Sequence, residues 1–143
     1  MRLIDGQCHC GNISYRLEWP DEGPQIPVRA CSCQFCSKHG GVWTSHPNGR
    51  LEVKTSDPSN VTRYRFGQKT AVFHICATCG IVPLATCDID GACYAVVNVN
   101  TFENVEPEAF DRTETDFEGE PEGERLARRR RNWTPAFFSD RSD

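Results

Sequence analysis

The sequence, 143 residues long, lacks any apolar run approaching the roughly 20 residues that a membrane span requires. It lacks an apolar leader too: a charged residue interrupts the start of MRLIDGQCHC, so the opening segment is not expected to be a signal peptide. Excess positive charge is missing. The formal net charge is −4, which removes any general attraction to nucleic acid or to an anionic membrane. No long segment repeats apolar residues every 3.6 positions, and there is neither an internal repeat nor an independent second domain. The length suits one domain, large enough to bury a core without covalent staples.

Cysteine, by contrast, is abundant. Nine are present, and with no leader or span the expected compartment is the cytoplasm, where thiols stay reduced and close-set cysteines serve metal binding or catalysis more often than disulfides. Cysteine-x-cysteine pairs argue the same way, because bridging such near neighbours strains the bond. An odd total leaves one unpaired in any case.

The fold class expected is all-β. ISYRLEW, residues 13–19, alternates strictly, with Ile13, Tyr15, Leu17 and Trp19 on one face, as in a half-buried strand. Further short strands are expected at 27–32, 42–46, 50–55, 61–66, 70–75, 81–86 and 92–100, separated by turn sequences such as PNG, SDPSN, FGQK and DIDG. Helix is expected only near the end, as a short piece at 106–110 and a turn or two around 122–131. Beyond Glu103 the composition shifts: ten acidic residues fall between 103 and 124, and ERLARRRRNW then brings five arginines together. The organisation expected is a domain over 1–105 and a tail over 106–143 packed on it, anchored by Trp133, Phe137 and Phe138.

Cysteine spacing carries most of the chemistry. CHC at 8–10 and CATCG at 76–80 are distant pairs that together supply four thiolates. Sulfurs about 2.3 Å from a tetrahedral zinc lie roughly 3.8 Å apart, a spacing that two converging turns can reach. Gly11 and Gly80, each just after a pair, suit those turns. Cys8, Cys10, Cys76 and Cys79 thus make a closed metal site that ties the chain start to its middle, or else four buried free thiols. Cys31, Cys33 and Cys36 remain as a trio. Three protein ligands with an open position is the pattern of catalytic zinc, the fourth ligand being water or substrate. Cys87 or Cys93 could instead close this second site, although packing across the DIDGA hairpin is the other role open to them. A zinc carrying three thiolates is a weak Lewis acid, better suited to another sulfur or a small carbonyl oxygen than to hydrolysis.

GQCHCGNISYRL, CSCQFCSKHGG and FHICATCG, in that order and separation, resemble the glutathione-dependent formaldehyde-activating enzyme family, which also includes centromere protein V. The resemblance covers about positions 5 to 105 and implies a β-tent of antiparallel sheets built around a structural zinc site. By position, Cys8, Cys10, Cys76 and Cys79 match the structural ligands, and Cys31, Cys33 and Cys36 match those of a second, catalytic zinc, giving two zinc ions per chain. Lys38 and Gly41 also sit where the family has a basic residue and a glycine. The founding activity joins formaldehyde to glutathione to give S-(hydroxymethyl)glutathione and is classed as a carbon–sulfur lyase from the reverse direction. The implied partners are a small-molecule thiol such as glutathione and a small aldehyde. The segment CGIVPLATCDIDGACYAVVNVNTFE and the arginine-rich ending depart from the founding enzymes.

Other polar residues give weaker signals. His39 and His46 follow the trio closely enough for one to relay a proton, and His39 is taken as the catalytic candidate, with an ordinary surface or turn position as the alternative. Lys38, Arg63, Arg65 and Lys69 could bind the carboxylates of a glutathione-like ligand or simply be solvated. His9 and His74 are read as local packing or hydrogen-bonding residues. Arg128 to Arg131 raise a competing function, a non-catalytic zinc-stabilised module binding nucleic acid or a protein partner, although the acidic stretch before them can neutralise them within the same tail.

Overall fold

The computed structural model describes residues 1–20 and 23–139. The chain opens with an antiparallel hairpin of β1 (Arg2–Gln7) and β2 (Ile13–Trp19), whose turn carries Cys8 and Cys10. β2 buries Ile13, Tyr15, Leu17 and Trp19, so the alternation of ISYRLEW is realised residue for residue. β3 (Ile26–Cys31), α1 (Gln34–His39), β4 (Val42–Thr44) and β5 (Arg50–Thr55) follow. β6 (Val61–Tyr64), β7 (Val72–Cys76), β8 (Leu84–Ile89) and β9 (Ala92–Asn98) form a meander, and β10 (Phe110–Thr115), α2 (Glu122–Asn132) and β11 (Thr134–Phe138) complete the order.

The eleven strands of the described residues join one sheet with a path β1-β2-β5-β11-β9-β4-β3-β10, from which β8, β7 and β6 branch at β9. The protein is mostly β, as expected. Most pairings are antiparallel, but two are parallel: β10 runs beside β3, and β11 beside β5. These two were not foreseen, because both use strands of the segment expected to be a packed tail. That segment is woven into the sheet. β11 pairs with β9 through Thr134 and Pro135 and then with β5 through Ala136–Phe138, so it bridges the two halves of the sheet. Residues 140–143 of the expected tail lie outside the described residues.

The expectation that helix is confined to the end is corrected by α1. Six residues are too few to show a period, and the helix is set by its ends: Cys33 caps it, its Sγ accepting from Cys36 N, and Gly40 in the left-handed conformation stops it. The short helix expected at 106–110 is a single 3-10 turn, Pro107–Ala109, after which the chain goes directly into β10. The strand expected at 81–86 lies at Leu84–Ile89, because Val82 and Pro83 are buried without strand pairing. Among the described residues no helix is long and apolar enough to cross a membrane.

Two apolar clusters occupy opposite faces of β8 and β9. One packs Leu84, Ala95 and Val97 against Ile4, Leu17 and Leu51, filling the space between the sheet halves. The other packs Ala85, Cys87 and Val96 with Trp43, Trp133 and Cys36. This second face carries the cysteine trio.

Candidate metal centres and their cavity

Cys8 and Cys10 leave β1, while Cys76 ends β7 and Cys79 follows it. Their four Sγ atoms lie within 4.8 Å of one another. Cys8 and Cys10 are 3.8 Å apart and Cys10 and Cys76 3.4 Å, close to the sulfur spacing of a tetrahedral thiolate site, so donor set and distances are compatible with zinc. All nine cysteines are free. Gly11 and Gly80, with φ of 86° and 82°, reverse the chain after each pair and donate their N–H groups to the carbonyls of Cys8 and Cys76. The amides of Ile13 and Cys79 donate to Cys8 Sγ at 3.3 Å and Cys76 Sγ at 3.5 Å. Burial pushes the Cys8 thiol up to about 11. At Cys79 burial also acts upward, but the Ile81 and Cys10 amides and the neighbouring thiols outweigh it and bring that thiol to about 6. A divalent cation held by these four residues would resolve this mismatch, since it would favour all four as thiolates.

Cys31 ends β3, Cys33 caps α1 and Cys36 is its buried residue, and these three Sγ atoms also lie within 4.8 Å of one another. Cys36 N donates to Cys33 Sγ at 3.4 Å. A hydrogen bond from the Cys36 thiol brings Cys31 down to about 6, and the same bond, with burial, pushes Cys36 up. The indole N–H of Trp43 favours the Cys36 thiolate, although Trp43 Nε1 makes no hydrogen bond of good geometry and is buried. Among the described residues the cluster stops at three: neither Cys87 nor Cys93 joins it. Those two do not face each other either. Cys87 pairs with Tyr94 and Asp88 with Cys93, one register step apart, which sends the two thiols to opposite faces of the hairpin.

The trio opens into a cavity of about 800 Å³. One wall is aromatic: the Phe35 ring stands 4.7 to 5.3 Å from those of Tyr64, Phe66 and Phe73. Another comes from Thr115, Phe117 and Gly119 and from α2, through Arg125, Arg128 and Arg129, with Trp133 beyond. Parallel pairing sets this wall beside the metal ligands, because Thr115 is the register partner of Cys31. Glu120 accepts from Arg125 Nε at 3.2 Å and from Arg128 Nη2 at 3.0 Å, and the Arg128 guanidinium lies 3.7 Å over the Phe117 ring.

Of the basic residues singled out in the sequence, Lys38 lines the cavity, while Arg63, Arg65 and Lys69 do not. His39 is not part of the lining. Its ring packs on Phe35 at 4.5 Å and Trp43 at 6.2 Å, and burial lowers its pKa. His46 stands edge-on to Trp19, and His74 is bonded to Thr86 Oγ1 at 2.8 Å; neither they nor His9 belong to a cysteine cluster. The arginine run is largely occupied: Arg128 holds Glu120, Arg129 is buried and Arg130 pairs with Asp90. Sequence reasoning missed the cavity role of Arg125, Arg128 and Arg129. Their spacing of three and four was the available signal, since it places them on one helix face.

A β sheet carrying one four-cysteine and one three-cysteine cluster, the second at a cavity, defines a protein with two potential metal centres. A sequence model of the glutathione-dependent formaldehyde-activating enzyme matches residues 3–119, most of the chain, and the protein belongs to that family. It is also similar to the crystal structure of a Rhodobacter sphaeroides protein solved as a structural genomics target, with 31% identity, coverage of 73% of this chain and 92% of that one, and a TM-score of 0.54. No curated protein gives a significant match.

Proposed function

We propose that this protein is a zinc-dependent carbon–sulfur lyase acting on the thiol adduct of a small aldehyde, with one structural and one catalytic zinc per chain. The observation that carries the reading is the three-cysteine cluster, joined by no fourth residue among those described, at a cavity large enough for a peptide-sized thiol. Family membership supplies the theme of glutathione and formaldehyde.

In this reading Cys8, Cys10, Cys76 and Cys79 hold the structural ion, and Cys31, Cys33 and Cys36 hold the catalytic one. A zinc on the trio would supply a soft site that keeps a substrate thiol ionised at neutral pH. The chain supplies the rest. The aromatic wall excludes water from the reacting atoms, and Lys38 adds a cation at the rim for a carboxylate. In synthesis the sulfur forms a bond to the aldehyde carbon, the C=O π bond breaks and the oxygen takes a proton; cleavage reverses each change. His39, whose pKa burial lowers, is the proposed proton relay.

Calorimetric titration of the zinc-loaded protein with glutathione, followed by NMR of hydroxymethyl adduct exchange on adding formaldehyde, tests this. Binding that weakens sharply when the sulfur is replaced by a hydroxyl, with exchange faster than the uncatalysed background, is expected. Thiol binding without acceleration would make the protein a carrier, and no thiol binding by zinc-loaded protein would remove the substrate class. His39→Asn should slow exchange without altering glutathione affinity; unchanged exchange would remove the relay role.

A further inference from the structure

Four buried side-chain nitrogen or oxygen atoms among the described residues lack a hydrogen-bond partner, and three of them, Trp43 Nε1, Thr115 Oγ1 and Arg129 Nε, belong to residues lining the cavity of the trio. Unpaired buried polar atoms are costly, so their concentration at one cavity is a signature of a ligand rather than of poor packing. Trp43 Nε1 already favours the Cys36 thiolate, which leaves Arg129 Nε as the donor-only atom that calls for an acceptor.

Arg129 is the strongest member of this set. Only 8% of its surface is exposed. Its Nη1 donates to Thr70 Oγ1 at 2.8 Å and approaches Cys87 Sγ at 3.5 Å, and its guanidinium lies 4.8 Å from the Trp133 ring centroid. These contacts fix its position and supply no carboxylate. Its neighbours on α2 differ in this respect: Arg125 and Arg128 share Glu120, and Arg130 has Asp90. Among the described residues no acidic side chain pairs with Arg129. A buried cation without a counter-ion is expensive to maintain, and it is found where a ligand's anion completes the pair. The planar guanidinium suits a carboxylate.

We propose that Arg129 is a specificity-determining residue that receives a carboxylate of the thiol substrate, so that the cavity selects acidic thiols over neutral ones of the same length. This rests on the proposed thiol site, because the ligand is held at both ends. Residue 129 lies outside the segment that the family model matches, residues 3–119, so the selectivity would be set by a part of the chain outside that segment. Cys31 and the Arg129 wall are brought together by the parallel pairing of β10 with β3, which carries the chain past the trio before it turns into α2.

The test is calorimetric titration of the zinc-loaded protein with ω-mercaptoalkanoates of increasing length, each beside its own carboxamide. At the length that spans the cavity, the acid binds at least about tenfold more tightly than the amide, the order expected of one charge-assisted bond. In Arg129→Met, with zinc content and melting temperature checked, that ratio falls towards one. Arg129→Lys keeps the charge but not the planar fork, so it shows a reduced preference and supplies a folded comparison if the methionine variant fails to accumulate. A ratio near one at every length in the unaltered protein overturns the inference, as does a full preference in either variant. If both members of each pair bind equally, the thiol site stands and only the carboxylate subsite falls. If neither binds, both fall.

Discussion

Cys10 Sγ lies 3.4 Å from Cys76 Sγ, so residues 66 positions apart in the chain share one metal-sized cluster. The contact fastens the turn of the first hairpin to the end of β7, and Cys76 is fully buried there. Binding energy at such a site is folding energy. Cys76→Ser should therefore yield protein that is insoluble or melts far below the parent, whereas Cys33→Ser, at the cavity, should remain folded and lose one metal ion. Circular dichroism melts with metal analysis check this, and equal damage from both substitutions would contradict the division of roles.

Metal content follows from the same two clusters. Loaded protein should hold two zinc ions per chain, and a chromogenic chelator should remove them in two phases, the faster from the trio. Three thiolates with an exchangeable fourth ligand hold an ion less tightly than four. Cys33→Ser should abolish the fast phase alone. A stoichiometry that never exceeds one would remove the open site.

Much of this was legible in the sequence because the signals were local. The alternation of Ile13 to Trp19 specified β2, and the C-x-C and C-x-x-C spacings specified which thiols cluster. What was not legible depended on pairing between distant segments. Nothing within FDRTET says that it will lie parallel to IPVRAC, and TPAFF carries only a weak period, yet it joins β5 to β9. Arg129 illustrates the same limit. Arg128 and Arg130 beside it in sequence each hold a carboxylate, and only the docking of α2 buries Arg129 and leaves it without one.

Tyr15 should govern stability at alkaline pH. Its hydroxyl donates to Thr101 Oγ1 at 2.7 Å, since the Thr101 hydrogen is already given to Asn98 O at 2.6 Å. Burial raises the phenol's pKa, so the unfolded chain, titrating near 10, releases this proton first. The native state then binds more protons than the unfolded state. Its stabilising contribution is complete below about pH 10 and is lost as pH rises, by up to ~1.4 kcal/mol per unit. Denaturant melts of the parent between neutrality and strong alkali should show this extra slope, and Tyr15→Phe should lack it. Parallel slopes would mean that the phenol ionises freely in the native state.

Glu120 should matter more than an ordinary surface carboxylate, because it fastens the cavity wall. Arg128 reaches both of its oxygens and Arg125 one, with side chains of all three less than a fifth exposed. Glu120→Gln leaves two part-buried guanidinium groups facing a neutral amide, an expected loss of about 1–3 kcal/mol, since charge-assisted bonds of this kind contribute more than neutral ones. Glu18→Gln breaks the exposed pair with Arg50, whose side chain is 61% exposed, and should cost under ~0.5 kcal/mol. The Arg128 guanidinium lowers the Glu120 pKa, so this stabilisation is present above the unfolded value and is lost as pH falls through the folded one. Acid melts of the parent should thus converge on those of Glu120→Gln, while a gap between them that persists at low pH would show that packing of the side chain, rather than its charge, fastens α2 to the cavity.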